Sequence, residues 1–74
     1  MLIRSQDKTK LVDLAGKTIS IDRANAIGIT YANSNVLLGK YTSKEKAMKV
    51  LDMVQESYIN GHIDYQMPED SEVV

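Results

Sequence analysis

The sequence predicts an α+β fold, a small and mostly antiparallel sheet of about five strands packed against one C-terminal helix. Short apolar runs that alternate with polar residues recur through the first forty positions, and this is the period of half-buried strands. Apolar residues at helical spacing follow a capping sequence near residue 43. A chain of 74 residues has the length of one such domain.

The predicted strands begin at the first residues. The runs "MLIRS" and "KLVDL", separated by the polar "QDKT", are rich in branched apolar residues and predict a first pair of strands. In "KTISIDR" the alternation places Ile19 and Ile21 on one face, and in "IGITY" it places Ile27, Ile29 and Tyr31 on one face. Each run therefore predicts a strand with one buried face.

A turn and a further strand follow. Residues Asn33, Ser34 and Asn35 predict the turn, because Asn tolerates left-handed backbone angles. "VLLGKY" then predicts the next strand. Gly28 and Gly39 interrupt two strands, where glycine often marks a bulge or the close approach of another group.

The helix is predicted over residues 44 to 60. Thr42 or Ser43 can cap it, and Thr42 with Glu45 fits the capping box. Gly61 stands where a helix commonly stops. Apolar residues at helical spacing form its predicted buried face: Ala47, Val50, Leu51, Val54 and Tyr58.

The chain after the helix contains one more alternating run. "HIDYQM" predicts a final strand with Ile63, Tyr65 and Met67 on one face, ended by Pro68. The domain is therefore predicted over residues 1–68, and the acidic residues 69–74 are expected to form a flexible tail.

Charge is divided along the chain. Residues 1–49 hold all nine Lys and Arg with four acids, whereas residues 50–74 hold six acids and no Lys or Arg. We expect the acidic end to fold back on the basic part or on a neighbouring copy; the alternative is a basic part that meets an outside anion. Because a chain this short buries a small core and has no Cys for a disulfide, a homodimer is expected.

Composition also bears on location and partners. The absence of Cys, and an N-terminus that turns polar after three residues, favour the cytoplasm. No apolar run approaches the length of a membrane span. A pI of about 5.7, with four Tyr but no Trp or Phe, argues against a nucleic-acid partner.

One cluster is a candidate site for a small anionic ligand. A helix N-terminus offers unpaired N–H groups, and hydroxyl and lysine side chains surround it here. Lysines in a first helical turn oppose the helix dipole, and such a cost is often accepted at functional sites. The alternative is that they are solvated, with Glu45 pairing Lys49. The candidate ligand-binding residues are Lys40, Thr42, Ser43, Lys44 and Lys46.

No catalytic residues, cofactor or metal site are predicted. His62 is the only histidine, and Ser57 is five residues before it, which is weak ground for a dyad. Asp52 and Glu56 lie four apart on a helix face that is expected to be solvated. With fewer than two convergent catalytic groups, the sequence favours a protein that is not an enzyme.

Three segments carry a resemblance to a known group of proteins. "MLIRSQDKTKLVDL", "LLGKYTSKEKAMKVLDMVQ" and "YQMPEDSEVV" resemble, in this order, a family of short uncharacterised proteins from phages, prophages and mobile elements of Gram-positive bacteria. The resemblance implies a mobile-element context and a small sheet with one helix. It assigns no functional residues.

The function expected from these features is that of a mobile-element accessory protein. It would act as a protein-interaction module that binds a host protein and counters a host defence factor. The sheet edge, Met48, Met53 or the acidic tail would form the contact. The alternative is a small-anion or nucleotide sequestering protein that uses the lysine cluster.

Overall fold

Six strands, one α-helix and one short 3₁₀ helix make up the fold. The structure is a computed structural model that describes residues 1–74. In chain order the elements are β1 (Leu2–Arg4), β2 (Leu11–Asp13), β3 (Thr18–Ile21), β4 (Ala26–Tyr31), β5 (Ser34–Lys40), α1 (Lys44–Ile59), β6 (Asp64–Gln66) and the 3₁₀ helix Asp70–Glu72. The predicted α+β class with one helix is confirmed.

The prediction of one five-stranded sheet is wrong, because the strands form two three-stranded sheets. Their orders are β2-β1-β6 and β3-β4-β5. Strands β3, β4 and β5 form an antiparallel meander, whereas β6 pairs parallel with β1. That parallel pairing aligns Leu2 with Asp64, residues that the helix and the whole meander separate. Alternation within each strand carries no information about such a distant pairing.

The core lies between the helix, the meander and the C-terminal segment. The helix packs on β3 and β4. The core cluster consists of ten buried residues: Ile3, Ile27, Ile29, Leu38, Tyr41, Ala47, Val50, Val54, Met67 and Val73. Tyr31, predicted to be buried beside Ile27 and Ile29, is 62% exposed at the end of its strand, where Lys17 Nζ lies 4.9 Å from its ring centroid. The predicted burial of Tyr31 is therefore wrong.

The helix begins and ends with local caps. Ser43 is the N-cap, and its Oγ accepts a hydrogen bond from Lys46 N at 3.1 Å. The capping box predicted for Thr42 with Glu45 therefore does not form. At the other end Gly61 has φ +76°, and His62 N donates to Ser57 O at 3.0 Å, which is the Schellman pattern.

Two glycines in the meander lie where the backbone is crowded. Pairing between β4 and β5 shifts by one residue between Ile27 and Gly28, so β5 has a bulge at Leu38, opposite this glycine. Gly39 is buried, and a Cβ there would lie 3.0 Å from Tyr41 Oη. The turn before β5 consists of Ala32 and Asn33 rather than residues 33–35, because Ser34 already pairs with Tyr31.

Residues 69–74, for which the sequence predicts a flexible tail, contact the rest of the domain. Val73 is 2% exposed and belongs to the core cluster. Lys49 Nζ donates a hydrogen bond to Val74 O. The alternative pairing of Lys49 with Glu45 is not among the ion pairs of the protein. The single helix is too short and too polar to cross a membrane.

Candidate interaction groove

The five residues predicted to bind an anion lie around the start of α1 but do not converge on one point. Only the side chains of Thr42 and Lys46 meet, and they meet at the carboxylate of Asp70. Ser43 is used as the helix cap. Lys40 binds Gln6 through its backbone N–H, with its side chain exposed, and Lys44 lines a separate groove.

The Asp70 carboxylate binds two of the five residues that the sequence predicted for an outside anion. It accepts hydrogen bonds from Thr42 N at 2.8 Å, Thr42 Oγ1 at 3.1 Å and Lys46 Nζ at 3.2 Å. These contacts, the Thr42 backbone bond first, hold the pKa of Asp70 below its ordinary value. The acidic end therefore folds back on the basic part where the 3₁₀ helix Asp70–Glu72 meets the start of α1, which is one of the two arrangements expected from the sequence.

A groove between β3 and α1 is the largest concavity of the surface. Its volume is about 810 Å³, within the range of sites that hold ligands of drug size. Both walls have apolar side chains, and polar and charged side chains accompany them. The lining residues are Ile19, Ser20, Ile21, Asp22, Arg23, Asn25, Lys44, Met48 and Leu51.

One wall of the groove is an edge strand whose outer backbone groups have no partner. Asp22 N bonds Ala26 O at 2.9 Å, which makes these two residues a hydrogen-bonded pair of the β3–β4 ladder. Such pairs alternate with pairs that exchange no hydrogen bond, so Ile19 and Ile21 direct their N–H and C=O groups away from β4. No other backbone or side chain bonds these groups.

The other wall is a stripe of the helix. Lys44, Met48 and Leu51 stand at i, i+4 and i+7 and therefore share a face. Met48 is 45% exposed, and Leu51 is half-buried. The buried face of the helix is the adjacent stripe that contains Val50, which explains why Met48 lies off the core pattern.

The charges of the groove are unbalanced. Asp22 Oδ1 accepts hydrogen bonds from the backbone N–H groups of Ala24 at 2.8 Å and Ala26 at 3.1 Å, so it holds the turn after β3. Neither Arg23 nor Lys44 has an acidic partner within 4.0 Å, because the two ion pairs of the protein lie elsewhere. Arg23 and Lys44 therefore carry positive charges without an acidic partner, beside the apolar side chains that line the groove.

Asp7 builds the turn between β1 and β2. Asp7 accepts hydrogen bonds from the hydroxyls of Thr9 and Ser5, both at 2.7 Å, and these bonds, that of Thr9 first, lower the pKa of Asp7 far below its ordinary value. His62 is exposed just beyond the helix. No group of three or more His, Asp or Glu side chains is placed to hold a metal ion.

Comparison with family models, with curated proteins and with solved structures finds no significant match to this chain. The assignment of a candidate site therefore depends on the geometry of the groove.

Part of this site was within reach of sequence reasoning. The sequence predicted the strand that contains Ile19 and Ile21, and it proposed the sheet edge, Met48, Met53 or the acidic tail as the contact. It assigned Lys44 to a different kind of site, for a small anion. It missed Arg23 and assigned Leu51 to the core. The spacing of Lys44, Met48 and Leu51 is the signal that could have joined them as one helical stripe.

Proposed function

We propose that this protein is a non-catalytic protein-interaction module that binds an extended segment of a partner protein along β3. The observation that carries the proposal is the unpaired backbone edge at Ile19 and Ile21 beside the exposed side chain of Met48. Strand addition of this kind obtains affinity from main-chain hydrogen bonds, and alternate side chains of the added strand provide specificity.

The two edges of the meander differ in a way that supports β3 as the binding edge. Gln6 covers part of β5, since its N–H donates to Leu38 O and its side-chain oxygen accepts from Lys40 N at 3.0 Å. Strand β3 has no such cover and contains neither proline nor a charged residue, the usual protections of an exposed edge. An added strand would place side chains over Leu51 and Met48.

Selection from a random peptide library on the purified protein tests this proposal. We expect enriched peptides to protect the amides of Ile19 and Ile21 from hydrogen exchange, because these N–H groups would enter a new ladder. Met48→Gln should weaken binding, whereas Leu37→Gln should not, since Leu37 is similarly exposed at 52% but lies outside the groove. Peptides that bind without protecting β3 would contradict the proposal.

Self-association is a second part of the proposal and uses a different surface. Only 13 of 74 residues are buried, and the β2-β1-β6 sheet exposes Leu2, Leu11 and, beside β6, Ile63, which is 82% exposed. We propose that two copies cover this surface as a homodimer. Light scattering during size exclusion should give twice the chain mass, and Leu11→Lys should give the mass of one chain.

The biological setting of the proposal comes from the sequence resemblance. It is that of a mobile-element accessory protein, and we propose a host defence factor as its partner. The proposed cytoplasmic location comes instead from the composition, which includes no Cys. The alternative of an anion-sequestering or nucleotide-sequestering protein has no supporting contact, because Asp70 already accepts the hydrogen bonds of Thr42 and Lys46.

A further inference from the structure

We infer that the segment bound along β3 is acidic at the end that lies beside Arg23 and Lys44, with apolar side chains at alternate positions over the groove. This inference rests on the proposed function and specifies the chemistry of its partner. The alternation follows from the added strand, of which every second side chain points toward the helix. The acidic end follows from the unbalanced charges.

Arg23 and Lys44 lie at the same end of the groove. Arg23 is the second residue after β3, and Lys44 is the first residue of α1. Tyr41 N donates to Asn25 O at 3.2 Å, so the segment that enters the helix runs beside the turn that contains Arg23. A carboxylate placed there would meet both cations and the positive end of the helix.

The comparison of Lys44 with Lys46 indicates why this carboxylate should come from outside. Both lysines stand in the first helical turn, where a cation is unfavourable. Lys46 has a compensating partner in Asp70, with Nζ and Oδ2 3.2 Å apart. Lys44 has none, and Asp22, the one acid that lines the groove, already binds two backbone N–H groups. An acidic partner would supply a carboxylate to pair with Lys44, as Asp70 does with Lys46.

A second copy of β3 matches the groove less well than an acidic segment does. One register that pairs two antiparallel β3 strands through the outward backbone groups of Ile19 and Ile21 is centred on Ser20, and it would place Lys17 opposite Arg23 of the second copy. The symmetry repeats this like-charge pair at the other end, and like charges directly opposite destabilise a strand pair. The β3 segment, residues 17–23, also contains a single acid, Asp22, which already binds two backbone N–H groups. The acidic segment is therefore assigned to a different chain.

The experiment uses the peptides selected on the full chain and two double variants. Arg23→Gln with Lys44→Gln removes the cations of the groove. Lys8→Gln with Lys10→Gln removes the same charge from the exposed turn between β1 and β2 and serves as the matched control. Each peptide is compared with a version in which its acidic residues are replaced by the corresponding amides.

We expect the selected peptides to be enriched in Asp or Glu at one end. The groove variant should weaken their binding roughly fivefold, as for two exposed ion pairs. The amide versions of the peptides should lose as much affinity for the wild-type protein. The control variant should bind the selected peptides with unchanged affinity.

Two other outcomes are distinguishable. Uncharged peptides that protect Ile19 and Ile21 would contradict the inference of an acidic partner but not the proposed interaction module. Equal losses of affinity for both double variants would have the same meaning. Peptides that neither protect β3 nor respond to Met48→Gln would overturn both.

Discussion

The carboxylate of Asp70 accepts a hydrogen bond from the backbone N–H of Thr42 at 2.8 Å, across 28 positions of sequence. This contact joins the acidic C-terminal segment to the residues that precede α1. The Asp70 carboxylate engages Thr42 and Lys46, two of the five residues predicted to bind an outside anion, and it leaves Lys44 as the lysine of the first turn without a partner.

The Asp70 contact should make folding stability depend on pH. Its folded-state pKa is depressed below the ordinary value of 3.8, so the carboxylate contributes stability above that pH and loses it as the pH falls through the lower folded value. Asp70→Asn should therefore be less stable than wild type near neutral pH, and the difference should shrink below about pH 4. Thermal unfolding over this range measures it; a constant difference would contradict the assignment.

Residues 69–74 should contribute to stability through Val73 and not through Val74. Val73 is 2% exposed within the core cluster, whereas Val74 is 92% exposed. Val73→Ala should lower the free energy of unfolding by about 2 kcal/mol, because it removes buried carbon and leaves a cavity. Val74→Ala is the matched control, expected to be neutral in urea unfolding. Equal effects would mean that the segment is not packed as described.

Gln6 should be more important to stability than its half-exposed position suggests. Its Nε2 donates to Lys40 O at 3.1 Å and to Pro68 O at 3.2 Å, which links β5 to the C-terminal segment. Gln6→Glu replaces the donor by an oxygen that faces two carbonyls, and we expect a loss of about 2 kcal/mol in urea unfolding. Recovery of stability as the new carboxyl is protonated would support this reason for the loss.

A side chain at Gly39 should destabilise the fold. A Cβ there would lie 3.0 Å and 3.2 Å from Tyr41 Oη and Cε2, and the buried Tyr41 ring is held by its hydrogen bond to Pro68 O at 2.8 Å. Gly39→Ala should cost about 1–3 kcal/mol by overpacking.

Gly28→Ala provides the comparison for Gly39→Ala. Its shortest contact is the exposed Asn35 side chain, which can move, so we expect a smaller loss in the same urea titration. The reverse order would contradict the role given to the Tyr41 ring.

Whether a feature could be predicted from the sequence depends on how far apart in the chain its interacting residues are. The Schellman end at Gly61 was predictable because its bonds join residues within one turn and a half of helix. The alternation of Ile27 and Ile29 was predictable because both belong to one strand. The pairing of Leu2 with Asp64 was not, since either strand could pair with any exposed edge.

By itself the sequence determined the class of the fold, the helix with its glycine stop, and the division of charge between the two parts of the chain. These properties are local or compositional, so each is contained in a short window of residues. The tertiary structure alone decided the two-sheet arrangement, the placement of Asp70 on Thr42 and the groove between β3 and α1. Each of these depends on packing between segments far apart in the chain, and the free energy that selects one packing belongs to the whole core.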